Sequence, residues 1–186
     1  ANEAALQTYG LLKQGYYMLM ARMEPENNIE MILDGFCKTS STDRFIVVGN
    51  TANDFGKKMA AKYRDDDRVH FTGAIFNQET IHALRQYCKI YFHGHSVGGT
   101  NPSLLEAMAS EALIAAHDNE FNRAVLQEDA LYFNHADEVM QIINTGAVLN
   151  GAAMQQNNLT KIKEQYNWAA IVDAYETTMI KCLKTK

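Results

Sequence analysis

Cysteine is scarce in this sequence, and the three copies lie scattered at Cys37, Cys88 and Cys182 among 186 residues. An odd, widely spaced set in apolar, helix- or strand-like surroundings argues against a disulfide framework or a zinc site. It predicts buried, reduced thiols and fits a cytoplasmic compartment. Long apolar runs are missing as well. No stretch approaches the roughly 18 to 20 consecutive apolar residues of a membrane span, and the opening Ala1-Asn2-Glu3-Ala4-Ala5 lacks the basic start of a signal peptide. The 17 basic residues form no block and the formal charge is -5, so a nucleic-acid partner is not expected and any phosphate site must be local. Internal repeats and low-complexity tracts are absent too.

What remains is 47% apolar and 21% charged, a balance that suits one compact domain over residues 1–186 with a real core. Short apolar runs read as strands at Tyr16 to Ala21, Phe45 to Gly49, Val69 to Thr72, Ile90 to His93 and Ala112 to Ala116, with a weaker sixth at Leu131 to Phe133. Helical spacing follows them: Ile29, Ile32, Leu33 and Phe36, then Ile81, Leu84 and Tyr87 with Tyr91 beyond. After Ala136 the chain reads as helices, closing with one from about Trp168 to Leu183. The strand runs carry too few polar positions to face water on either side. Strand-helix alternation of this kind predicts an α/β, Rossmann-like three-layer α/β/α domain around a parallel sheet of about six strands. In such a sheet the ligand crevice lies at the carboxyl ends of the strands, where Gly49, Gly73 and the run Gly94 to Gly99 fall.

The most informative stretch is His93-Gly94-His95-Ser96-Val97-Gly98-Gly99-Thr100-Asn101-Pro102-Ser103-Leu104-Leu105-Glu106-Ala107-Met108-Ala109, which leaves a strand, crosses a loop and opens a helix. Thr100 or Asn101 suits the cap, and Pro102 suits the first helical position because its missing N–H has no partner there anyway. The amides of Ser103 and Leu104 are then expected to be free and to face the crevice. Unpaired amides at a helix start, aided by the helix dipole, bind phosphate without a lysine. Gly98 and Gly99 allow the backbone to come close. A glycine loop that merely turns before a capped helix is the plainer alternative.

The run Pro102 to Ala109 resembles the donor-site motif of family-4 glycosyltransferases, enzymes whose two-domain architecture is called GT-B. Two further elements extend the resemblance over most of the chain. Ala21-Arg22-Met23-Glu24-Pro25-Glu26-Asn27-Asn28-Ile29-Glu30 is similar to the family's Gly-Arg-x-x-x-x-Lys-Asn segment, and Tyr166-Asn167-Trp168 with Tyr175 is similar to the aromatic start of its closing helix. The phrase from His93 to Glu106, with Glu24 to Asn28, most resembles bacterial polysaccharide glycosyltransferases of the rhamnosyltransferase-like group.

The resemblance implies the carboxyl-terminal, donor-binding half of a GT-B enzyme. It also implies a UDP- or dTDP-linked sugar as donor, no other cofactor, and retaining, metal-independent transfer to a polysaccharide or lipid-linked glycan. On that reading Arg22 reaches the donor diphosphate as the catalytic group, a task suited to a bidentate guanidinium, and Glu106 accepts hydrogen bonds from the ribose. Ile75, in the loop Gly73 to Phe76, holds the base through the backbone, and His95 donates to a phosphate or sugar oxygen. Gly98, Gly99, Thr100, Asn101, Ser103 and Leu104 contact sugar and phosphate. Each side chain has a structural alternative: Arg22 in an ion pair with Glu24 or Glu26, Glu106 on its own helix dipole, Phe76 as an apolar anchor of its loop.

Three positions depart from the family. Its lysine falls on Asn27, kept among the donor-contacting positions; the first of its two glutamates falls on Gly98; and its Gly-Gly turn after the fifth strand becomes Glu120-Phe121. Phosphate and sugar are therefore expected to be held more by backbone than by charge.

Other constellations carry less. His93-x-His95 lacks a third metal ligand, so no metal is expected, and His93 is expected to pack at its strand end. Asp65-Asp66-Asp67 precedes a strand and sits at the wrong edge of the sheet for ligand binding, as a solvated turn. No Ser-His-Asp order or reactive cysteine supplies a covalent nucleophile. Met18, Met20, Met23, Met31 and Met108 read as core filler.

The expectation is a donor domain lacking its amino-terminal acceptor domain, with little transfer activity alone, and cytoplasmic or membrane-peripheral in a longer protein. The competing classes are a nucleotide-sugar epimerase domain and a non-catalytic interaction module using the surface from Trp168 to Lys186.

Overall fold

A computed structural model describes residues 3–145 and 150–184. Ala1 and Asn2 of the expected amino terminus, residues 146–149 of the helical remainder, and Thr185 and Lys186 of the expected interaction surface lie outside the described residues.

Six strands form one wholly parallel sheet: β1 (Tyr16–Met20), β2 (Arg44–Val48), β3 (Val69–Gly73), β4 (Tyr91–His93), β5 (Ile114–His117) and β6 (Leu131–Phe133). Their spatial order is β3-β2-β1-β4-β5-β6, with Met18 opposite both Ile46 and Tyr91. The predicted strands are all present, with ends shifted by a residue or two. Tyr91 belongs to β4 and does not continue the helical repeat of Ile81, Leu84 and Tyr87.

Alternation along each strand sends side chains to two cores. Tyr16, Met18, Ile46, Val48, Tyr91, Ile114 and Ala116 face one core, shared with α1 (Ala4–Gln7), α4 (Gln78–Tyr87), α5 (Pro102–Ala109) and α6 (Glu120–Leu126). Tyr17, Leu19, Phe45, Val47, Phe92 and Ala115 face the other, with α2 (Ile29–Cys37), α3 (Asp54–Lys62) and α7 (Ala136–Thr145). Both faces of the sheet are thus covered, which is why its strands read as nearly unbroken apolar runs. In the second core Tyr17, Phe36, Phe45 and Phe92 pack ring against ring, with Phe36 and Phe45 edge-on at 5.1 Å between centroids. Such pairs add about 0.5–1.5 kcal/mol each beyond their buried area.

Helix α8 (Gly151–Gln165) packs on α5, tied down by the buried Lys161, whose Nζ donates to the Leu126 carbonyl at 2.6 Å and pairs with Asp129 at 2.7 Å. Helix α9 (Trp168–Lys184) presents Trp168, Val172, Tyr175, Met179 and Leu183 to solvent along one helical stripe. Of the cysteines, Cys88 is buried, but Cys37 is half-buried and Cys182 is exposed on α9. The expected burial therefore fails for Cys182, because the apolar residues around it form an exposed face. Among the described residues no helix is long and apolar enough to cross a membrane.

Candidate functional site

Chain order reverses between β1 and β4, the neighbours at the centre of the sheet. Connections from these two strands leave to opposite faces, so a crevice opens at their carboxyl ends. A cavity of about 880 Å³ occupies that place. Its walls come from Met20 at the end of β1 and Ala21 to Glu24 with Glu26 and Asn27 after it, Gly49, Asn50 and Asn53 after β2, and Ala74 to Phe76 with Gln78 and Ile81 after β3. His95, Val97, Asn101 and Ser103 complete it after β4.

Arg22 lines this crevice and is exposed. Among the described residues it has no salt bridge, so the alternative pairing with Glu24 or Glu26 is not formed. Asn27 also borders the crevice, but its side chain is buried and its Nδ2 donates to the Arg22 carbonyl at 2.8 Å. The amide of Asn27 thus shapes the Arg22 loop and is not free for a donor. Its neighbour Asn28 takes a left-handed backbone and donates through Nδ2 to the Gly94 carbonyl at 2.8 Å. That contact explains Gly94, where a Cβ would fall 2.1 Å from the Asn27 carbonyl oxygen. The loops after β1 and β4 can touch only through a residue without a side chain.

The loop after β4 is fastened at several points. The Ser96 amide and hydroxyl both donate to the Glu26 carbonyl, at 3.0 and 2.8 Å. Asn119 and Asn122 donate to the His95 carbonyl at 3.0 and 3.1 Å. The rings of His93 and His95 stack at 4.4 Å with 14° between planes. His93 packs at the end of β4, buried, and among the described residues neither of its ring nitrogens has a hydrogen-bond partner, nor has His95 Nδ1. Burial pushes the His93 imidazole well below its ordinary value, helped by the nearby His95 and Arg85. His95 is also lowered, first by burial and then by the positive charge of Arg22, against an opposing pull from Glu26. Both rings are neutral at pH 7, and neutral imidazole can offer a donor without adding charge.

The start of α5 differs from its expected form. Asn101 caps the helix, and its Oδ1 accepts from the Ser103 amide at 2.9 Å. The Leu104 amide donates to the Asn101 carbonyl at 3.0 Å, and the Leu104 side chain is buried in the core. The two amides expected to be free are therefore occupied, because the residue that caps the helix also satisfies them. In this loop the amides of Gly98, Gly99 and Thr100, like those of Val97 and Asn101, have no partner among the described residues. These three residues are exposed and lie outside the crevice wall, which passes directly from Val97 to Asn101. Gly98 has φ of 98°, a conformation that a side chain would strain.

Glu106 stands one turn beyond Ser103 on α5, also off the crevice wall. Its Oε2 accepts from Arg85 Nη1 at 2.8 Å, a partner that motif reading missed. The signal was available: Arg85 lies four residues after Ile81, on the face of α4 that carries apolar residues into the core. Sequence reasoning also missed Asn53, which caps α3 and holds the Met23 carbonyl through Nδ2 at 2.8 Å, steadying the loop that bears Arg22. Ile75 borders the crevice, while Phe76 is 87% exposed and so does not anchor its loop by burial. Asp66, expected as part of a solvated turn, is held by Arg68 through two oxygens at 2.8 and 2.6 Å.

Residues 8–169 match the family model described as glycosyl transferases group 1. The chain belongs to that family. Its fold is that of the carboxyl-terminal half of a GT-B enzyme, as similar structures show. Anabaena HepE in complex with UDP-glucose superposes with a TM-score of 0.83 at 16% identity, over 96% of this chain and 52% of that one. A glycosyltransferase from Rickettsia africae gives 0.79 at 13% identity, over 99% and 52%. The C-terminal domain of a group 1 glycosyltransferase, LpcC of Francisella tularensis, gives 0.72 at 15% identity, over 89% and 93%. This group 1 domain thus spans about half the length of HepE. No curated protein matches its sequence.

Proposed function

We propose that this group 1 domain binds the nucleotide-sugar donor of a glycosyltransferase in the crevice between the loops after β1 and β4. The observation that carries the reading is an exposed arginine, Arg22, with no carboxylate partner among the described residues, at the mouth of a crevice on the reversal of strand order. A guanidinium in that position is suited to a diphosphate, which it can grip through two parallel hydrogen bonds. HepE, whose structure resembles this chain, was crystallised with UDP-glucose and with UDP and glucose, which supports a nucleotide sugar as the ligand class.

The finer reading follows from the family-4 resemblance of residues 102–109 and the rhamnosyltransferase-like phrase from His93 to Glu106. A UDP- or dTDP-linked donor places its diphosphate at Arg22 and His95, its base near Ile75 and Phe76, and its ribose, or for dTDP its deoxyribose, toward Glu106. The partnerless amides of Gly98, Gly99 and Thr100 serve the sugar when that loop folds inward. Transfer is retaining and metal-independent, to a polysaccharide or lipid-linked acceptor held by the rest of a longer protein. Such chemistry rests on stabilising the departing diphosphate and on positioning, not on a protein nucleophile. The 186-residue chain by itself then binds donor but transfers little.

Calorimetric titration with UDP, dTDP and GDP tests this. Binding by one of them, weakened in both Arg22→Ala and Glu106→Ala, is the expected result. No binding by any of the three at low salt would overturn it and favour an interaction module using the exposed face of α9.

A further inference from the structure

A lone arginine in a core is an expensive way to hold two helices together. Arg85 is 2% exposed, and its Nε has no partner among the described residues. Apolar replacements of buried ion pairs are often neutral or stabilising, so a half-satisfied guanidinium asks for another explanation. Its partner is placed quite differently. The Glu106 side chain is 50% exposed and makes only the bond from Arg85 Nη1 to its Oε2, leaving Oε1 without a protein partner among the described residues.

The other arm of the guanidinium points to the crevice. Arg85 Nη2 reaches the Ser103 hydroxyl at 3.2 Å and Met20 Sδ at 3.4 Å, and both residues line the cavity. The Ser103 hydroxyl also meets the Tyr91 hydroxyl at 3.0 Å, and the guanidinium lies 5.6 Å from the centre of the Tyr91 ring. One buried cation therefore fixes a crevice-wall hydroxyl and a half-exposed carboxylate on the same helix face, three residues apart. It is itself held by α4 and β4.

We infer that Arg85 is a positioning residue for nucleotide recognition, locking Glu106 in the rotamer that presents its free carboxylate oxygen to the ribose hydroxyls of the donor. The inference rests on the donor-binding reading above and adds to it. A glutamate on a helix surface samples several rotamers, and ordering it on ligand binding costs affinity. The arginine removes that cost before the ligand arrives, and the Ser103 contact sets the carboxylate relative to the crevice wall.

The test is the discrimination between UDP and 2′-deoxy-UDP, measured by calorimetry on the 186-residue chain; if GDP binds more tightly, the pair is GDP and 2′-deoxy-GDP. The wild type is expected to favour the ribonucleotide by about tenfold, the equivalent of one hydrogen bond to a charged group. Arg85→Met fills the same space without the fork and is expected to reduce the preference to within about twofold, as is Glu106→Gln. The double variant is expected to lose no more than either single one. Arg85→Lys restores part of the preference.

A merely structural arginine would change thermal stability and leave the ratio alone. An Arg85→Met protein that is folded by circular dichroism and keeps the full preference overturns the inference while donor binding stands. Equal wild-type affinity for the two nucleotides overturns it as well, by removing the ribose contact. If Arg85→Met does not fold, Arg85→Lys decides: a preference unchanged from wild type overturns the inference, and a reduced one supports it. Absence of any nucleotide binding overturns the donor-binding reading and this inference with it.

Discussion

At the amino ends of the strands Arg68, Lys89 and Arg44 are paired off, whereas at the carboxyl ends Arg22 is left without a carboxylate among the described residues. Arg68, just before β3, donates to Asp66, to the carbonyls of Thr39 and Ser41 at 3.0 and 2.7 Å, and lies over the Phe36 ring at 4.6 Å. Lys89, before β4, holds Asp43, and Arg44 at the start of β2 reaches the carbonyls of Tyr9 and Gly10. Across the sheet, among the described residues, Arg22 has no carboxylate and the buried ring nitrogens of His93 have no partner. An arginine serves cohesion at one edge and stands open at the other. Polar groups left unsatisfied in a folded chain cost stability; of the buried side-chain nitrogens without a partner among the described residues, three belong to His93 and His95 at the end of β4, and the others to Arg85 and to His70 on β3.

The largest test of this contrast is Arg68→Ala, which removes a guanidinium serving one carboxylate, two carbonyls and an aromatic ring. It is expected to cost about 3 kcal/mol in urea unfolding and to leave nucleotide affinity unchanged. Arg22→Ala should do the reverse. Loss of a charge-assisted grip on a diphosphate weakens binding by about 30-fold, roughly 2 kcal/mol, while the unfolding midpoint in urea stays at the wild-type value. A drop in stability as large as that of Arg68→Ala would erase the distinction between the two edges.

Acid separates the edges by pH window. The folded-state pKa of His93 lies well below its unfolded value of about 6.5, so above that pH the ring is neutral in both states and carries no penalty. As pH falls below about 6.5, the unfolded chain takes up a proton that the folded chain refuses. Stability then declines by up to about 1.4 kcal/mol per pH unit for this group. His95 and His117, both lowered first by burial, act in the same direction. Replacing His93 with Phe is expected to make the stability profile between pH 6.5 and 5 shallower.

Asp66 behaves later on the same axis. The Arg68 bonds hold its carboxyl down at about 2, so its contribution is present above the unfolded value of about 3.9 and disappears only as pH falls from there toward 2. The carboxyl edge should therefore loosen first on acidification. The smallest effect belongs to the exposed pair of Lys38 and Asp137, where Lys38→Ala should change unfolding stability by less than about 0.5 kcal/mol.

The sheet was legible because burial on both faces leaves a plain trace in the chain. Runs such as Phe45 to Val48 and Tyr16 to Leu19 have no polar position, and a parallel sheet covered by helices is what removes the need for one. The loops that build the crevice were legible by the same logic, since Arg22, Ile75 and His95 each follow a strand. The state of the backbone within them was not. Whether the Ser103 amide is free depends on which rotamer Asn101 adopts, and whether the Leu104 amide is free depends on the Asn101 backbone carbonyl turning into the helix; a residue that can cap a helix gives no sign in the sequence of having done so. The exposed Cys182 shows a similar limit, because an amphipathic stretch has the same pattern whether or not its apolar face is covered.

By itself the sequence determined the elements, their parallel arrangement and the edge of the sheet where the crevice lies, because these follow from periodicity and from the position of glycines and caps along the chain. Only the tertiary structure decided which groups at that edge are free and which are spent. Asn27 was spent on the Arg22 carbonyl, Arg85 was joined to Glu106 across two helices, and Arg22 was left open. These pairings run between residues that are neighbours in space, and side-chain hydrogen bonds are short enough that a shift of one ångström makes or breaks them.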